Sequence, residues 1–207
     1  GVQTCALPIL VDEYDAPIVH YLGKDIAQAY TYREYLKGFY SVLKEGDPYL
    51  EFVFLTGVSK FSKVGIFSGL NNLTDLSLHP DYACMLGYTQ AELVQNFAEE
   101  LEASTQYHQL DKAQLLDKIR HWYNGYRFAP GAETVYNPVS INQFFFEKNF
   151  RNYWFATGTP TFLINILKQE GLYTFKTQPQ SETSFDNFDL EDLHAFGLLY
   201  QTGYLTI

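Results

Sequence analysis

The chain has 207 residues, enough to bury a sizeable core in one large domain or in one domain and part of another. Hydrophobic residues make up 46% and charged residues 18%, which excludes a disordered chain, and a formal charge of −10 repels phosphate backbones, so direct nucleic-acid binding by this segment is not expected. No long uninterrupted apolar run and no basic stretch leading into one occurs, so the sequence predicts neither a membrane span nor a secretory signal, and the default location is cytoplasmic.

Aromatic residues reach 17%, with 17 Tyr and 17 Phe, so much of the packing must be aromatic. Cys5 and Cys84 are too few for a disulfide framework or a zinc site.

In chain order, residues 1–9 resemble the in-frame translation of a sequencing adaptor, and Pro8 is disfavoured inside a buried strand, so this segment is set aside as non-native. The other reading is a native strand with Pro8 at its edge. Leu10-Val11 is the end of a buried strand, and Asp12 and Glu13 follow at its carboxyl end, where open α/β sheets bind ligands. Asp15 is placed to cap a short helix with Ala16 and Pro17 in its first turn. From Asp25 to Lys44 apolar residues recur at spacings of three and four, and Gly46 with Pro48 ends that helix. Glu51 to Thr56 is a short strand stopped by Gly57, so strand, helix and strand alternate as in a parallel sheet.

A loop through Ser59 to Ser68 leads to a mainly helical region. Thr89 and Glu92 form a capping-box pattern, with Leu93, Phe97 and Leu101 on the apolar face of the helix that follows. A second helix spans Asp111 to Trp122 and breaks at Gly125. Tyr126-Arg127-Phe128 is expected to pair with Thr134-Val135-Tyr136, before Asn137-Pro138 starts another helix. Thr159 caps a helix from Pro160 to Gln169, and Thr177 to Asn187 is a polar loop or linker. The last residues, Leu198 to Ile207, stop within an apolar pattern, and the chain is expected to be cut short at both ends.

Hydrolysis of a nucleoside triphosphate requires a carboxylate that positions magnesium at the end of a rigid strand and a second acid that orients water. Asp12 and Glu13 can supply that pair; taken alone, they also suit a solvated turn. Asp12, Glu13 and Asp15 together could instead form a nuclease-type metal cluster, although no lysine stands nearby on a paired strand. Trp122, Tyr123 and Tyr126 could stack on an adenine, but aromatics at a helix end suit a core or a subdomain joint better and stay outside the site. His20, His79, His108, His121 and His194 show no metal-ligand spacing.

Several ordered motifs sharpen the reading of the two acids. Leu10-Val11-Asp12-Glu13-Tyr14-Asp15, Phe54-Leu55-Thr56-Gly57-Val58-Ser59-Lys60 and Ile66-Phe67-Ser68-Gly69-Leu70-Asn71-Asn72 resemble the AAA-ATPase-like family of anaerobic bacteria. So do Trp122-Tyr123-Asn124-Gly125-Tyr126, Val135-Tyr136-Asn137-Pro138, Tyr153-Trp154-Phe155-Ala156-Thr157-Gly158 and Tyr200-Gln201-Thr202-Gly203-Tyr204. The resemblance implies an α/β fold, with a partial P-loop NTPase parallel-sheet core of the RecA/AAA type at residues 10–80 and a mainly helical lid or winged-helix-like region at 81–207. It implies ATP and Mg2+ in the full-length protein. Asp12 would hold the metal, Glu13 and Thr56 would be catalytic, as water-orienting acid and γ-phosphate sensor, and Ser59 and Lys60 would contact the nucleotide, with Ser59 as reserve sensor. Lys60 and Lys63 would meet phosphate or a neighbouring subunit of a homo-oligomer, or remain solvated. A PD-(D/E)XK nuclease-like domain commonly follows in that family. One departure limits the carry-over: no Gly-Lys-Ser type phosphate loop occurs between Gly1 and Ile207, so this chain is expected to bind ATP poorly by itself. The competing reading is an inactive scaffold or protein-interaction module of the same fold.

Overall fold

The computed structural model describes residues 7–60, 66–67, 70, 72–154, 161–169, 190 and 195–206. Lys63, the Thr159-Pro160 helix start, the Thr177–Asn187 linker and Cys5 lie outside the described residues. The chain divides into two compact units, one of residues 1–73 with 160–205 and one of 74–159 with 206–207. The fold is mixed α/β, with a small two-stranded parallel sheet and a mostly helical remainder.

In the first unit, β1 (Leu7–Val11) lies parallel to β2 (Leu50–Leu55), joined by α1 (Ala16–Val19) and α2 (Ile26–Glu45). Strand, helices and strand thus alternate as the sequence predicts. β1 begins three residues before Leu10, and Pro8 lies at the register shift between Leu7 and Pro8, a place where its missing N–H is tolerated. α2 starts as its sequence dictates: the Asp25 carboxylate accepts from the Gln28 amide at 3.2 Å. Ile18, Leu22, Ala29 and Tyr40 form the core of this unit with Leu163, Ile166, Leu198 and Leu199. These last four come from α7 (Thr161–Gln169) and α8 (Ala195–Gln201). A simple boundary near residue 80 therefore does not describe the packing, because the late helices fill the core built around α1 and α2.

The second unit opens with α3 (Gln90–Asn96), whose capping box between Thr89 and Glu92 forms in full. The single helix expected through Leu101 is instead two, α3 and α4 (Ala98–His108), with Phe97 between them at φ −117° and ψ 34°. The break turns the Phe97 ring onto Phe145, with centroids 5.0 Å apart, while Leu93 and Leu101 stay buried. α5 (Lys112–Tyr123) has a second capping box, between Asp111 and Gln114. The hairpin is shifted toward this helix: β3 (Asn124–Tyr126) pairs with β4 (Val135–Tyr136), so Tyr126 alone of the expected Tyr126–Phe128 strand takes part. The helix ends just before Gly125, as expected: Asn124 turns extended directly after it, and Gly125, at φ 138°, lies in β3. Asn137 then caps α6 (Pro138–Glu147) through the Ser140 amide at 2.9 Å.

Leu115 and Ile119 of α5 are fully buried with Ile141, Phe144 and Phe145 of α6. Leu115→Ala is expected to cost about 2–5 kcal/mol, through lost burial and the cavity left behind, as read by urea denaturation. His108 ends α4, with its ring parallel to that of Phe144 and 5.1 Å from that of Phe150. Burial holds its imidazole below the ordinary value of 6.5, the Lys118 charge adds to this, and the Lys148 backbone partly offsets it. The neutral ring is the folded form, so its stabilising effect is complete above pH 6.5 and is lost as pH falls below it. Denaturation midpoints measured down through that range should fall less steeply for His108→Gln than for the wild type.

Candidate functional site

β1 and β2 end side by side, and each is followed by polar residues at its carboxyl end. Register pairs Val11 with Leu55, and the Thr56 amide donates to the Val11 carbonyl at 2.8 Å. Asp12 and Thr56 therefore leave the sheet at the same level, and the Thr56 hydroxyl donates to Asp12 Oδ1. Glu13 comes next in a left-handed conformation, φ 52°, with its amide 3.4 Å from Thr56 Oγ1. A non-glycine residue in that region is uncommon and is held only where its surroundings require it. Here the requirement is a turn: the Ala16 amide donates to the Glu13 carbonyl, and the Tyr14 amide donates to the Thr56 carbonyl at 2.8 Å. Asp12 and Glu13 are both exposed.

Asp15 departs from the sequence reading. It occupies the residue before α1, but its side chain makes no cap bond. The second helical residue, Pro17, has no N–H, and the third, Ile18, donates its amide to the Asp15 carbonyl, so a capping carboxylate has little left to accept there. The carboxylate turns inward instead. Its Oδ1 accepts from the Val58 amide at 3.1 Å and its Oδ2 from the Ser59 amide at 2.6 Å, and the residue is fully buried. Burial pushes the Asp15 carboxyl above its usual range, and the amides of Ser59 and Val58 partly offset this. The triad reading of Asp12, Glu13 and Asp15 as one metal cluster fails for the same reason: two acids face solvent while the third is turned to backbone amides. Among the described residues, no group of three or more His, Cys, Asp or Glu could hold a metal ion.

The same loop is gripped by Tyr14, which the sequence reading did not single out. Its hydroxyl donates to the Ser59 carbonyl at 2.7 Å, and its ring packs 4.9 Å from Phe67 and 6.3 Å from Tyr40. Tyr40 reaches back from α2 to donate to the Tyr14 carbonyl at 3.3 Å. Burial pushes the Tyr40 phenol up, and the Asp15 charge pushes it further. A tyrosine between two acids in the motif Asp12-Glu13-Tyr14-Asp15 was the available signal for this arrangement, since a phenol that enters a core needs a partner. Ser59 is itself buried, with its amide on Asp15 and its carbonyl on Tyr14. Lys60 follows, its amide donating to Gln201 Oε1 at 3.0 Å. Of the aromatic candidates, Tyr123 lies in the core of the second unit, while Trp122 is 38% exposed.

The donor set suits a hydrated magnesium ion with a nucleotide: an exposed carboxylate and a threonine hydroxyl, both hard oxygen ligands, stand together at the strand ends, and a second exposed acid, Glu13, is next in sequence. Residues 3–67 match the AAA-ATPase_like family model, described as "Predicted AAA-ATPase". That match encloses β1, α1, α2, β2 and every acid and hydroxyl of the site. Over 202 residues, 96% of the chain, the sequence is 42% identical to the "Uncharacterized protein in vnfD 5'region" of Azotobacter chroococcum mcd 1. The chain spans 36% of that relative's length. No solved structure matches the chain.

Gly57 stands where the two strand-end segments approach closely. A Cβ there would lie 2.5 Å from the Tyr14 ring and 2.6 Å from Asp15 Oδ1. Gly57→Ala is expected to destabilise by about 1–3 kcal/mol, as in other overpacked sites, measured as a lowered thermal midpoint.

Proposed function

We propose that this segment forms the magnesium-positioning and phosphate-sensing side of an ATPase, with β1 and β2 as two neighbouring strands of a P-loop-type sheet. The observation that supports this most directly is the bond from the Thr56 hydroxyl to Asp12 across the ends of two parallel strands. In such sheets the acid at the end of one strand positions the metal and a polar residue at the end of the next responds to the terminal phosphate. The family match over residues 3–67 supports the same reading.

In this proposal Mg·ATP, when bound, supplies the polarised phosphoryl group, the phosphate loop being contributed by sequence outside residues 1–207. Asp12, which accepts from the Thr56 hydroxyl, would hold the metal. Thr56 would exchange that bond for one to a phosphate oxygen and so register the nucleotide state. Glu13, carried beyond the strand by its left-handed turn, orients the attacking water as an exposed carboxylate. Lys60 follows on the same loop and would contact the phosphates, whereas Ser59 serves the loop through its backbone. The helical unit would transmit the nucleotide state to a fused effector such as a nuclease-like domain, or to a second subunit.

The test is steady-state hydrolysis by the full-length gene product. Glu13→Gln should lower kcat by roughly 10²–10⁴-fold while nucleotide binding survives, the usual cost of losing a positioned acid or base. Nucleotide binding without turnover in the wild type would support the scaffold reading instead, and turnover indifferent to Glu13→Gln would remove this assignment.

A further inference from the structure

We propose that Asp15 is a positioning residue for the strand-end site: its buried carboxylate, taking the amides of Val58 and Ser59, locks the segment after β2 to the segment after β1 and so holds Thr56 on Asp12. The inference rests on the ATPase reading above and assigns that site a residue that touches neither nucleotide nor metal.

The geometry is that of a lock with two independent ties. One is the pair of amides on the two carboxylate oxygens, at 3.1 and 2.6 Å. The other is the Tyr14 hydroxyl on the Ser59 carbonyl at 2.7 Å. Both originate in Tyr14-Asp15, directly after Asp12-Glu13, and both end in Val58-Ser59, directly after Thr56-Gly57. The short backbone between each tie and its strand leaves little slack, and the Tyr14 amide bond to the Thr56 carbonyl removes more. Gly57 lets the two segments approach, because no side chain fits between them.

The chemistry explains why an aspartate stands there. Two backbone N–H groups converge on one buried point, and an uncharged side chain of the same size cannot satisfy both. Asparagine presents one oxygen and one NH2, so one amide would face another donor. A buried carboxylate with two amide donors is satisfied; with one acceptor oxygen lost, the amide left unpaired carries a desolvation cost that loosening the loop relieves. Tyr40 adds a tie from α2 to the Tyr14 carbonyl, so the lock is anchored to the core of its unit rather than only to the loop. Release of the 57–60 segment would move Thr56 relative to Asp12 without altering either residue, and small misplacements at such a site reduce turnover more than binding.

The experiment uses the full-length gene product and compares wild type, Glu13→Gln, Asp15→Asn and Tyr14→Phe in Mg·ATP hydrolysis, nucleotide affinity and amide hydrogen exchange. Asp15→Asn is expected to lower kcat by about tenfold or more with nucleotide Kd unchanged within about twofold, and to speed exchange at Val58 and Ser59. Tyr14→Phe, which keeps the buried ring, should lower kcat by about two- to fivefold in the same pattern. It carries the test by itself if Asp15→Asn does not fold. A folded Asp15→Asn, or failing that Tyr14→Phe, with wild-type kcat overturns the proposal and leaves the ATPase reading intact. A parallel rise in Kd that accounts for the whole loss also overturns it. Hydrolysis that is absent, or unchanged by Glu13→Gln, overturns the ATPase reading and this inference with it.

Discussion

A carboxylate taken out of water must find donors, and in this protein Asp15 finds them in the backbone of a segment more than forty residues away. Much of the first unit's local order follows from that constraint. The amides of Val58 and Ser59 must come to Asp15, so the chain after β2 turns back over the end of β1. That turn needs Gly57, because a side chain there would strike Tyr14 and Asp15. It also brings the Ser59 carbonyl to the Tyr14 hydroxyl, which sets the Tyr14 ring against Phe67 and Tyr40. The strand pair contributes a ladder, but the strand-end geometry is fixed by this polar knot inside an aromatic shell.

The exposed part of the site is a consequence of the buried part. Asp12 and Thr56 meet because β1 and β2 are in register at Val11 and Leu55, and the segments beyond them are tied. Glu13 takes a left-handed turn because Asp12 remains at the strand end while Tyr14 and Asp15, which follow at once, are buried. Such backbone strain is sustained where surrounding contacts over-determine the chain, and here the bonds of Tyr14 and Ala16 do so. An exposed acid pair with a rigid buried support is the arrangement expected when orientation matters more than affinity.

Local rules carried much of the fold from the sequence. Asp25, Thr89, Asp111 and Asn137 each stand at a helix start, and each side chain accepts the amide that its spacing predicts. Asp12, Glu13 and Thr56 were legible as strand-end polar residues because a short apolar run stopped before each. Rules of this kind failed where a distant partner competed with a near one. Asp15 resembles a cap in every local respect, yet Pro17 removes one donor and amides from beyond β2 supply two others. Phe97 fits an unbroken helical face, but its stacking on Phe145 of a later helix favours a break. No spacing rule indicates that α7 and α8 belong with α1 and α2, since that pairing rests only on complementary apolar surfaces far apart in the chain.

This last feature bears on the order in which the protein takes shape during synthesis. Residues 74–159 form one continuous stretch with its own apolar cluster, so that unit leaves the ribosome with nearly all of its partners in hand. The unit that carries the strand ends does not: Ile18 and Leu22 remain without Leu163, Ile166, Leu198 and Leu199 until the chain has been made almost to residue 200. The middle of the sequence can therefore fold before its beginning. The strand ends that hold Asp12 and Thr56 reach their final support only when translation of this region is nearly finished.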